Sequence, residues 1–211
     1  MKLNNYDAIA NNYDMLSRLV FFKSQVSAQT AQIKFIPPHS NILIVGGGTG
    51  WILEEISNTY HEGLTITYVE ISKKMIALAA KRSAKGNTLK FVNLPIEDFI
   101  DDCCYDVVIT AFLFDNFKEE RIQQVFSKLN HMLKPAALWL FSDFENPVKG
   151  RNKWQKWLLS TMYYFFRKIA HVEATALIPV QPYFVAKNYK PLDIQTYYQG
   201  FIKATVYQKP A

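Results

Sequence analysis

Short apolar runs alternate with segments of helical periodicity along most of this 211-residue chain. The first run, Asn41 to Val45, is rich in β-branched residues and closed by glycines, which is typical of a buried strand. Similar runs predict four more strands, at Leu64 to Ile71, Leu89 to Asn93, Tyr105 to Phe112 and Ala136 to Phe141. Because strands that alternate with helices imply βαβ crossovers, we expect a mostly parallel sheet with helices on both faces.

The helices between these strands follow from apolar residues at three- and four-residue spacing. One helix begins at Trp51, and Ser72 is the predicted N-cap of the next, with Met75 on its apolar face. A longer helix carries apolar residues from Ile122 to Leu133 and is expected to end before Pro135.

The last twenty residues break this alternation. Two strand-like runs, Leu192 to Tyr198 and Phe201 to Gln208, are joined through Gln199 and Gly200. So short a link suits an antiparallel hairpin, because parallel strands need a long crossover. The predicted fold is therefore α/β: one domain over residues 1–211, with a doubly wound, Rossmann-like sheet of five parallel strands and a closing hairpin, seven strands in all.

Composition narrows the class of protein. The chain is 49% apolar and 20% charged, which is globular, and its longest wholly apolar runs are far shorter than the roughly 20 residues of a membrane span. The N-terminus lacks a signal-peptide pattern, and the two cysteines, Cys103 and Cys104, are sequence neighbours that cannot staple distant segments. We expect a cytoplasmic protein without a disulfide framework, and no spacing typical of a metal site is present.

The net charge of +6 hides an asymmetry along the chain. Residues 1–148 hold 14 basic and 16 acidic side chains, a balance of −2, whereas residues 149–211 hold 10 basic and 2 acidic ones, a balance of +8. The same C-terminal part carries 13 of the 31 aromatic residues. A shift of this kind indicates a different surface or a different task for the end of the chain.

The most informative motif is the glycine-rich turn after the first strand, with Gly46, Gly47, Gly48 and Gly50. Glycines there let a ligand approach the backbone and the N-terminus of the next helix. The sequence has no Walker phosphate loop, and Trp51 takes the place of the third glycine of a dinucleotide fingerprint, which argues against NAD. The remaining G-x-G-x-G pattern is weak alone, since a glycine turn can be purely structural.

A carboxylate stands at the end of the second predicted strand. Glu70 lies 20 residues after Gly50, where it can accept hydrogen bonds from both ribose hydroxyls of a nucleoside. A solvated glutamate at a strand end is the alternative interpretation. Together with the glycine turn, however, this acid predicts one nucleoside pocket.

The chain resembles the class I S-adenosylmethionine-dependent methyltransferases from about Tyr6 to Gln208. The turn ILIVGGGTG is similar to their first motif, Glu70 to their ribose-binding acid, and Phe91 to Phe99 to their adenine-side loop. Tyr105 to Phe112 and Leu133-Lys134-Pro135 resemble the fourth motif and the approach to strand five. Tyr6-Asp7 and Tyr13-Asp14 resemble the N-terminal segment of the small-molecule branch, which includes ubiquinone and menaquinone methyltransferases.

The resemblance implies S-adenosyl-L-methionine as the cofactor and methyl transfer by in-line displacement as the activity. The residues it implies at the cofactor are Tyr13, Gly46, Gly47, Gly48, Gly50, Glu70, Ile71, Met75, Ile96, Glu97 and Ala111. Two positions depart from the family pattern, because Ile44 and Pro95 stand where an acid is usual. Glu97 or Asp98 is the candidate replacement on the adenine side. The departures keep open a rival function, a nucleoside-cofactor-binding module without transferase activity.

The sequence restricts the chemical class of the methyl acceptor but does not identify the acceptor. No Asn-Pro-Pro-Tyr or Asp-Pro-Pro-Tyr follows the fourth strand, which disfavours methylation of the exocyclic amino group of adenine. No cysteine stands there either, which disfavours cytosine C5 methylation through a covalent thiolate. A small molecule is therefore the expected partner, and the oligomeric state is left open. Asp115 and Asp143 follow strands four and five, where such folds bind ligands, but both also suit turns or caps. The catalytic residue stays unassigned.

The basic, aromatic stretch Asn152 to Ala170 predicts a helix between strand five and the hairpin. Its apolar stripe comprises Trp154, Trp157, Leu158, Thr161, Met162, Phe165 and Ile169, widened by Tyr163, Tyr164 and Phe166. Four interpretations are open: a packed helix, a substrate lid, a membrane-surface helix, and, with least support, an RNA-binding surface.

We favour the lid. In this interpretation an insertion over residues 150–190 and an N-terminal helical cap over residues 1–35, with a helix from Tyr6 to Phe22, cover the methyl-transfer site. Trp154 and Phe165 would face the acceptor, as would Asp115 and Asp143. The membrane-surface alternative, a quinone-type methyltransferase, requires the aromatic stripe to be exposed. An RNA methyltransferase is the corresponding alternative for the RNA-binding interpretation.

Overall fold

The computed structural model describes Asp7, Ala10 and residues 23–102, 104–145, 153–169 and 172–211, without the side chains of Lys153, Lys156, Met162, Phe165 and Phe166. The helices are α1 (Ser24–Ile33), α2 (Trp51–Thr59), α3 (Lys73–Ala79), α4 (Glu119–Met132), α5 (Lys153–Ile169) and α6 (Gln181–Ala186), with a short 3₁₀ helix at Phe114–Asn116. The strands are β1 (Asn41–Val45), β2 (Glu62–Val69), β3 (Gly86–Val92), β4 (Tyr105–Ala111), β5 (Leu133–Phe144), β6 (Lys190–Tyr197) and β7 (Ile202–Gln208).

The seven strands form one sheet in the order β3-β2-β1-β4-β5-β7-β6. The first five are parallel, and β7 pairs antiparallel with both β5 and β6. This confirms the predicted Rossmann-like sheet with a closing hairpin. Since β1 has β2 on one side and β4 on the other, the chain reverses its direction of winding at β1. Ligands of such sheets bind at the carboxyl ends of the strands beside that reversal.

Both faces of the sheet are covered, as predicted. Successive side chains of β1 point to opposite faces, so Leu43 packs in one core cluster and Ile44 in the other. The first cluster includes the apolar residues of α4, and the second includes those of α2. Burial on both faces explains why β1 reads as a continuous apolar run.

Strand β5 is longer than predicted and is interrupted near its start. It begins at Leu133, directly after α4, and the register with β4 shifts so that Tyr105 pairs with Leu133 but Val107 pairs with Leu138. Pro135 has no N–H for the ladder, and Ala136 has a positive φ of 59°. These two residues therefore bulge out of the strand, and the apolar pattern becomes regular only after them.

The N-terminal part is only partly described. The predicted helix from Tyr6 to Phe22 lies outside the described residues, apart from Asp7 and Ala10. Helix α1 falls within the predicted cap and is tied to β5, because Gln32 Nε2 donates to Phe141 O at 3.1 Å and Ser142 Oγ donates to Gln32 Oε1 at 3.0 Å. The boundaries of the cap and of the 150–190 insertion stay predictions.

Candidate functional site

The glycine turn lies between β1 and α2, at the carboxyl edge of the sheet. Gly46 N donates to Val69 O at 2.9 Å, which continues the pairing of the first two strands by one residue. Gly46 and Gly48 have φ values of 67° and 63°, in the left-handed region that favours glycine. A Cβ at position 48 would meet no atom within 4 Å, so the backbone there borders open space.

A buried tyrosine supports this turn from below. Tyr68 Oη donates to Gly48 O at 3.0 Å, and a Cβ at position 47 would lie only 2.4 Å from the same hydroxyl. Gly47 is therefore required by close approach and Gly48 by its backbone conformation. Sequence reasoning missed Tyr68, because a tyrosine inside an apolar strand carries no signal of its contact with a distant loop.

Gly50 has a different task from the other glycines. Its φ is 78°, and a Cβ there would lie 2.7 Å from Ala79 Cα. It is not among the residues that line the cavity described below. Gly50 thus lets the start of α2 pack closely on α3.

Glu70 lies at the end of β2 and is only 6% exposed. Its Oε2 accepts a hydrogen bond from Gly48 N at 3.1 Å, and its Oε1 accepts one from Ser72 N at 2.8 Å. Burial raises the pKa of this carboxyl to about 7, against the lowering effect of the backbone donors. The acid thus joins the glycine turn to the turn after β2, and it keeps free lone pairs for a further donor.

The turn after β2 is held by three polar side chains. Asn93 Nδ2 donates to the carbonyl oxygens of Glu70 and Ile71, each at 2.9 Å. Ser72 caps α3, as predicted, by accepting from Met75 N at 3.1 Å. Asp7 Oδ1 in turn accepts from Ser72 Oγ at 2.5 Å and from Lys74 N at 3.0 Å. A residue of the N-terminal segment therefore anchors the start of α3 beside Glu70.

A cavity opens above these turns. The predicted cofactor residues that line it are Gly46, Gly47, Gly48, Glu70, Ile71, Met75, Ile96 and Ala111. Helix α1 adds Gln25, Val26 and Gln29 to the lining, and α4 adds Arg121. Tyr13 lies outside the described residues. Among the described lining residues, Glu70 is the only carboxylate and Arg121 the only cation. Sequence reasoning missed both Arg121 and the glutamines of α1, since no motif marks them.

Glu97 does not line this cavity. It pairs with Arg121, whose Nη1 also contacts Glu173 Oε1 at 3.1 Å and whose guanidinium lies 4.1 Å over the ring of Phe117. One arginine of α4 thus connects the loop after β3 with the segment after α5. Pro95 and Ile96 supply the wall on this side of the cavity.

The methyltransferase domain model matches residues 42–136, from β1 to the start of β5. The ubiquinone/menaquinone biosynthesis C-methyltransferase UbiE of Geotalea daltonii is 29% identical over 149 residues, 67% of this chain and 62% of that protein. A malonyl-[acyl-carrier protein] O-methyltransferase of Halalkalibacterium halodurans is 30% identical over 49% of this chain and 38% of that protein. The chain therefore spans less than two thirds of the length of these two curated relatives.

Solved structures give the same fold. The N-methyltransferase NodS from Bradyrhizobium japonicum superimposes with a TM-score of 0.65 over 90% of this chain and 97% of that one, at 11% identity. Over residues 42–136 the chain is similar to the class I S-adenosylmethionine-dependent methyltransferases, and it shares their fold. The cofactor of this family is S-adenosyl-L-methionine.

Two carboxylates lie near each other beside the cavity above the glycine turn, of which Asp143 is buried and Asp115 is half-buried. Asp115 follows β4 and Asp143 lies near the end of β5; burial raises the pKa of Asp115 to about 7, and burial and the charge of Asp115 raise that of Asp143 further. Asn116, which lines the cavity, donates to Asp115 Oδ1 at 2.9 Å. Tyr163 of α5 donates to Asp115 O at 3.3 Å, and burial together with both carboxylates raises its pKa.

Neither Asp143 nor Asp115 lines the cavity that Gly48 and Glu70 border. Asp143 borders a second, smaller cavity between β5, β7 and the segment before α6. Its Oδ1 accepts from Phe144 N at 2.8 Å. The structure thus brings the two predicted aspartates together, which their separation of 28 residues does not reveal.

Helix α5 divides its aromatic residues between two faces. The inner face carries buried or half-buried residues, Gln155, Leu158, Leu159 and Tyr163. On the outer face, Trp157 is 71% and Tyr164 70% exposed. The predicted single stripe was therefore wrong, because residues at positions 157 and 164 stand away from the domain.

Trp154 lies at the edge of the two faces. It is 37% exposed, and its ring packs edge-on against Tyr198 and Phe201 of the hairpin, with centroids 5.4 and 6.3 Å away. Trp154 does not line the cavity that Gly48 and Glu70 border. The side chain of Phe165 lies outside the described set.

The described part of the chain shows neither a metal-binding cluster nor a membrane-spanning helix. Within it, no group of three or more histidine, cysteine, aspartate or glutamate side chains is arranged to hold a metal ion. Nor does any helix in these parts of the chain combine the length and the apolar character needed to cross a membrane.

Proposed function

We propose that this protein is a methyltransferase that transfers the methyl group of S-adenosyl-L-methionine to a small molecule. The observation that carries the proposal is the pairing of an open glycine turn with a buried acid: Gly48 borders empty space while its N–H reaches Glu70. The similarity to this family supports the cofactor. Two similar proteins are named as a C-methyltransferase of ubiquinone/menaquinone biosynthesis and a malonyl-[acyl-carrier protein] O-methyltransferase, and these names support an acceptor other than a nucleic acid.

The cavity fits the proposed cofactor in its chemistry. Glu70 would accept hydrogen bonds from the ribose hydroxyls, because two of its lone pairs are left over after the bonds to Gly48 and Ser72. Met75 and Ile96 would supply apolar walls for the adenine ring, and Ala111 the wall nearest the end of β4. We assign Gly50 and Glu97 supporting roles, through packing on α3 and through Arg121.

The amino-acid end of the cofactor would meet neutral groups. Ile44, where the family usually has an acid, is buried and lines the cavity, and the polar side chains that α1 adds to the lining are the neutral amides of Gln25 and Gln29. Amide oxygens accept from an ammonium group but give a weaker attraction than a carboxylate. We therefore expect weaker cofactor binding than in a relative with both acids.

When bound, the cofactor supplies an activated sulfonium methyl group, so the protein has to hold the acceptor in line and exclude water. Asp115 is the candidate for a proton acceptor, since its pKa of about 7 leaves part of it ionised at neutral pH and its Oδ1 accepts from Asn116, which lines the cavity. The inner face of α5 would close this region, and the Tyr163 contact with Asp115 supports that role. Trp154 would steady α5 on the hairpin.

A binding module without transferase activity is the rival function. It is favoured by Ile44 and Pro95, which leave Glu70 as the only acid among the described residues that line the cavity. Such a protein would bind the cofactor and release it unchanged.

A turnover assay distinguishes the methyltransferase from the binding module without transferase activity. The purified protein is incubated with S-adenosylmethionine carrying a labelled methyl group and with a panel of phenols, thiols, amines and acidic-carbon compounds. We expect S-adenosylhomocysteine to form in step with a labelled organic product for at least one class. Binding of the cofactor with no product from any class, including compounds that co-purify and are identified by mass spectrometry, would support the rival.

A further inference from the structure

The outer face of α5 is an exposed aromatic surface. Trp157 and Tyr164 lie seven residues apart, two helical turns, and are 71% and 70% exposed. Trp154, one turn before Trp157, is 37% exposed, and Thr161 and Lys168 continue the same exposed face. Scattered apolar side chains on a surface are ordinary, whereas three large aromatic rings on one helix face form a patch.

The charges of this helix all have the same sign. Arg167 and Lys168 are exposed at its C-terminal end, and Lys153 and Lys156 belong to its first turn. No acidic residue occurs among the 17 residues of α5, and the sequence from residue 149 onward has a balance of +8. A polar face that is purely basic favours an anionic partner.

We propose that the outer face of α5 docks on an anionic lipid bilayer, with the helix lying in the headgroup layer. Tryptophan and tyrosine partition to that layer because an apolar ring and a polar group share one side chain. Lysine and arginine beside them pair with anionic headgroups. Single-stranded nucleic acid, which also attracts aromatic and basic residues, is bound in basic grooves, whereas this surface is the ridge of a helix.

Docking through this face leaves the rest of the domain unchanged. Leu158 and Leu159 on the inner face pack with the cluster around Phe144 and Phe201, and Tyr163 contacts Asp115. The surface therefore requires no unfolding or opening of the domain. Its occupancy does not depend on methyl transfer, so the proposal can fail or hold whatever the outcome for the enzyme.

Vesicle co-sedimentation tests the proposal. The full chain is mixed with vesicles of phosphatidylcholine alone or of phosphatidylcholine with phosphatidylglycerol, and the bound fraction is measured at low and high salt. We expect binding to the anionic vesicles only, and weaker binding at high salt because the charges are exposed and screened.

Variants assign the binding to this face. The double variant Trp157→Ala/Tyr164→Ala should lower the partition coefficient about tenfold or more, and Arg167→Gln/Lys168→Gln should lower it several-fold and reduce its dependence on salt. Ile100→Ala, at a residue that is 86% exposed away from α5, and Lys187→Gln, at an exposed lysine near α6, are the matched controls and should bind like the wild type. Circular dichroism should show all of them folded, since these side chains are exposed.

Several results would overturn the proposal. One is the absence of binding to anionic vesicles at low salt, and another is equal binding by Trp157→Ala/Tyr164→Ala and the wild type. Binding of a single-stranded RNA oligonucleotide without vesicle binding would assign the face to nucleic acid. A dimer in light scattering that the double variant abolishes, again without vesicle binding, would assign it to a second copy of the chain.

Discussion

The two halves of the carboxyl edge of the sheet consist of different kinds of chemical groups. At β1 and β2 the site consists of backbone groups and a single acid: Gly46 and Gly48 in left-handed conformations, and Glu70 bonded to two amides. Beyond β4 it consists of side chains that converge from distant parts of the chain, as Asp115, Asp143 and Tyr163 do. The first half depends on a few residues at readable spacing, and the second on tertiary packing.

The largest expected effect is the loss of cofactor affinity when Glu70, the acid at the end of β2, is replaced. Replacing Glu70 by alanine removes the charge-assisted acceptor, so we expect S-adenosylmethionine binding to weaken by roughly 1.5–3 kcal/mol in calorimetry. Glu70→Gln, which retains one acceptor, should lie between. Glu62→Ala, at an exposed residue where the same strand begins, is the control. Equal affinities for wild type and Glu70→Ala, with both proteins folded, would refute the role.

A pair of glycine variants separates close approach from backbone conformation. Gly47→Ala places a Cβ 2.4 Å from the buried Tyr68 hydroxyl, and such overpacking should lower the free energy of unfolding by about 1–3 kcal/mol. Gly48→Ala meets no atom within 4 Å and suffers only from its positive φ, so we expect a loss of about 1 kcal/mol. Denaturant unfolding measures both. A larger loss in Gly48→Ala than in Gly47→Ala would contradict the described turn.

The raised pKa of Glu70 predicts a pH dependence of cofactor binding. Burial holds this carboxyl protonated below a pH of about 7, and only the ionised form accepts from both ribose hydroxyls. Affinity should therefore rise, by up to about tenfold, as the pH increases through that value. In Glu70→Gln this step should vanish. A step that persists unchanged in the variant would assign it to another group.

The same shift affects stability in the opposite direction. Because the folded pKa of Glu70 lies above its ordinary value of 4.5, its favourable contribution is complete below that value and is lost as the pH rises through about 7. Burial also raises the pKa of Asp115 to about 7, so its favourable contribution to stability is lost over the same pH range. The melting temperature of the ligand-free protein should fall over this range, and Glu70→Gln should remove part of the fall. A melting temperature that rises with pH there would contradict the burial of these carboxyls.

The smallest expected effect is that of a variant at Tyr163, which belongs to the part of the carboxyl edge beyond β4. Tyr163→Phe removes one hydrogen bond to Asp115 O, at 3.3 Å, and should cost about 0.5–1.5 kcal/mol of stability. It should lower acceptor turnover while cofactor affinity stays the same. Tyr164→Phe, on the outer face of the same helix, is the matched control. If both variants lower turnover equally, the inner face of α5 does not act on the acceptor.

This contrast also explains how far the sequence alone leads. The strands, the hairpin, the N-cap Ser72 and the placement of Glu70 followed from apolar periodicity and from glycines whose backbone conformation is obligatory. Tyr68 and Arg121 were not predicted, because each contacts a segment at least 20 residues away and no local pattern marks it. The spacing of α5 identified a helix but not its outer face, since aromatic residues occur on both sides.

Calorimetric titration of the purified chain with S-adenosylmethionine, S-adenosylhomocysteine and NAD tests the central claim most directly. The account predicts that the first two bind at one site, that Glu70→Ala weakens both, and that NAD does not bind, because Trp51 occupies the position of the third glycine of a dinucleotide turn. Binding of NAD without S-adenosylmethionine, or affinities that do not respond to Glu70→Ala, would contradict it.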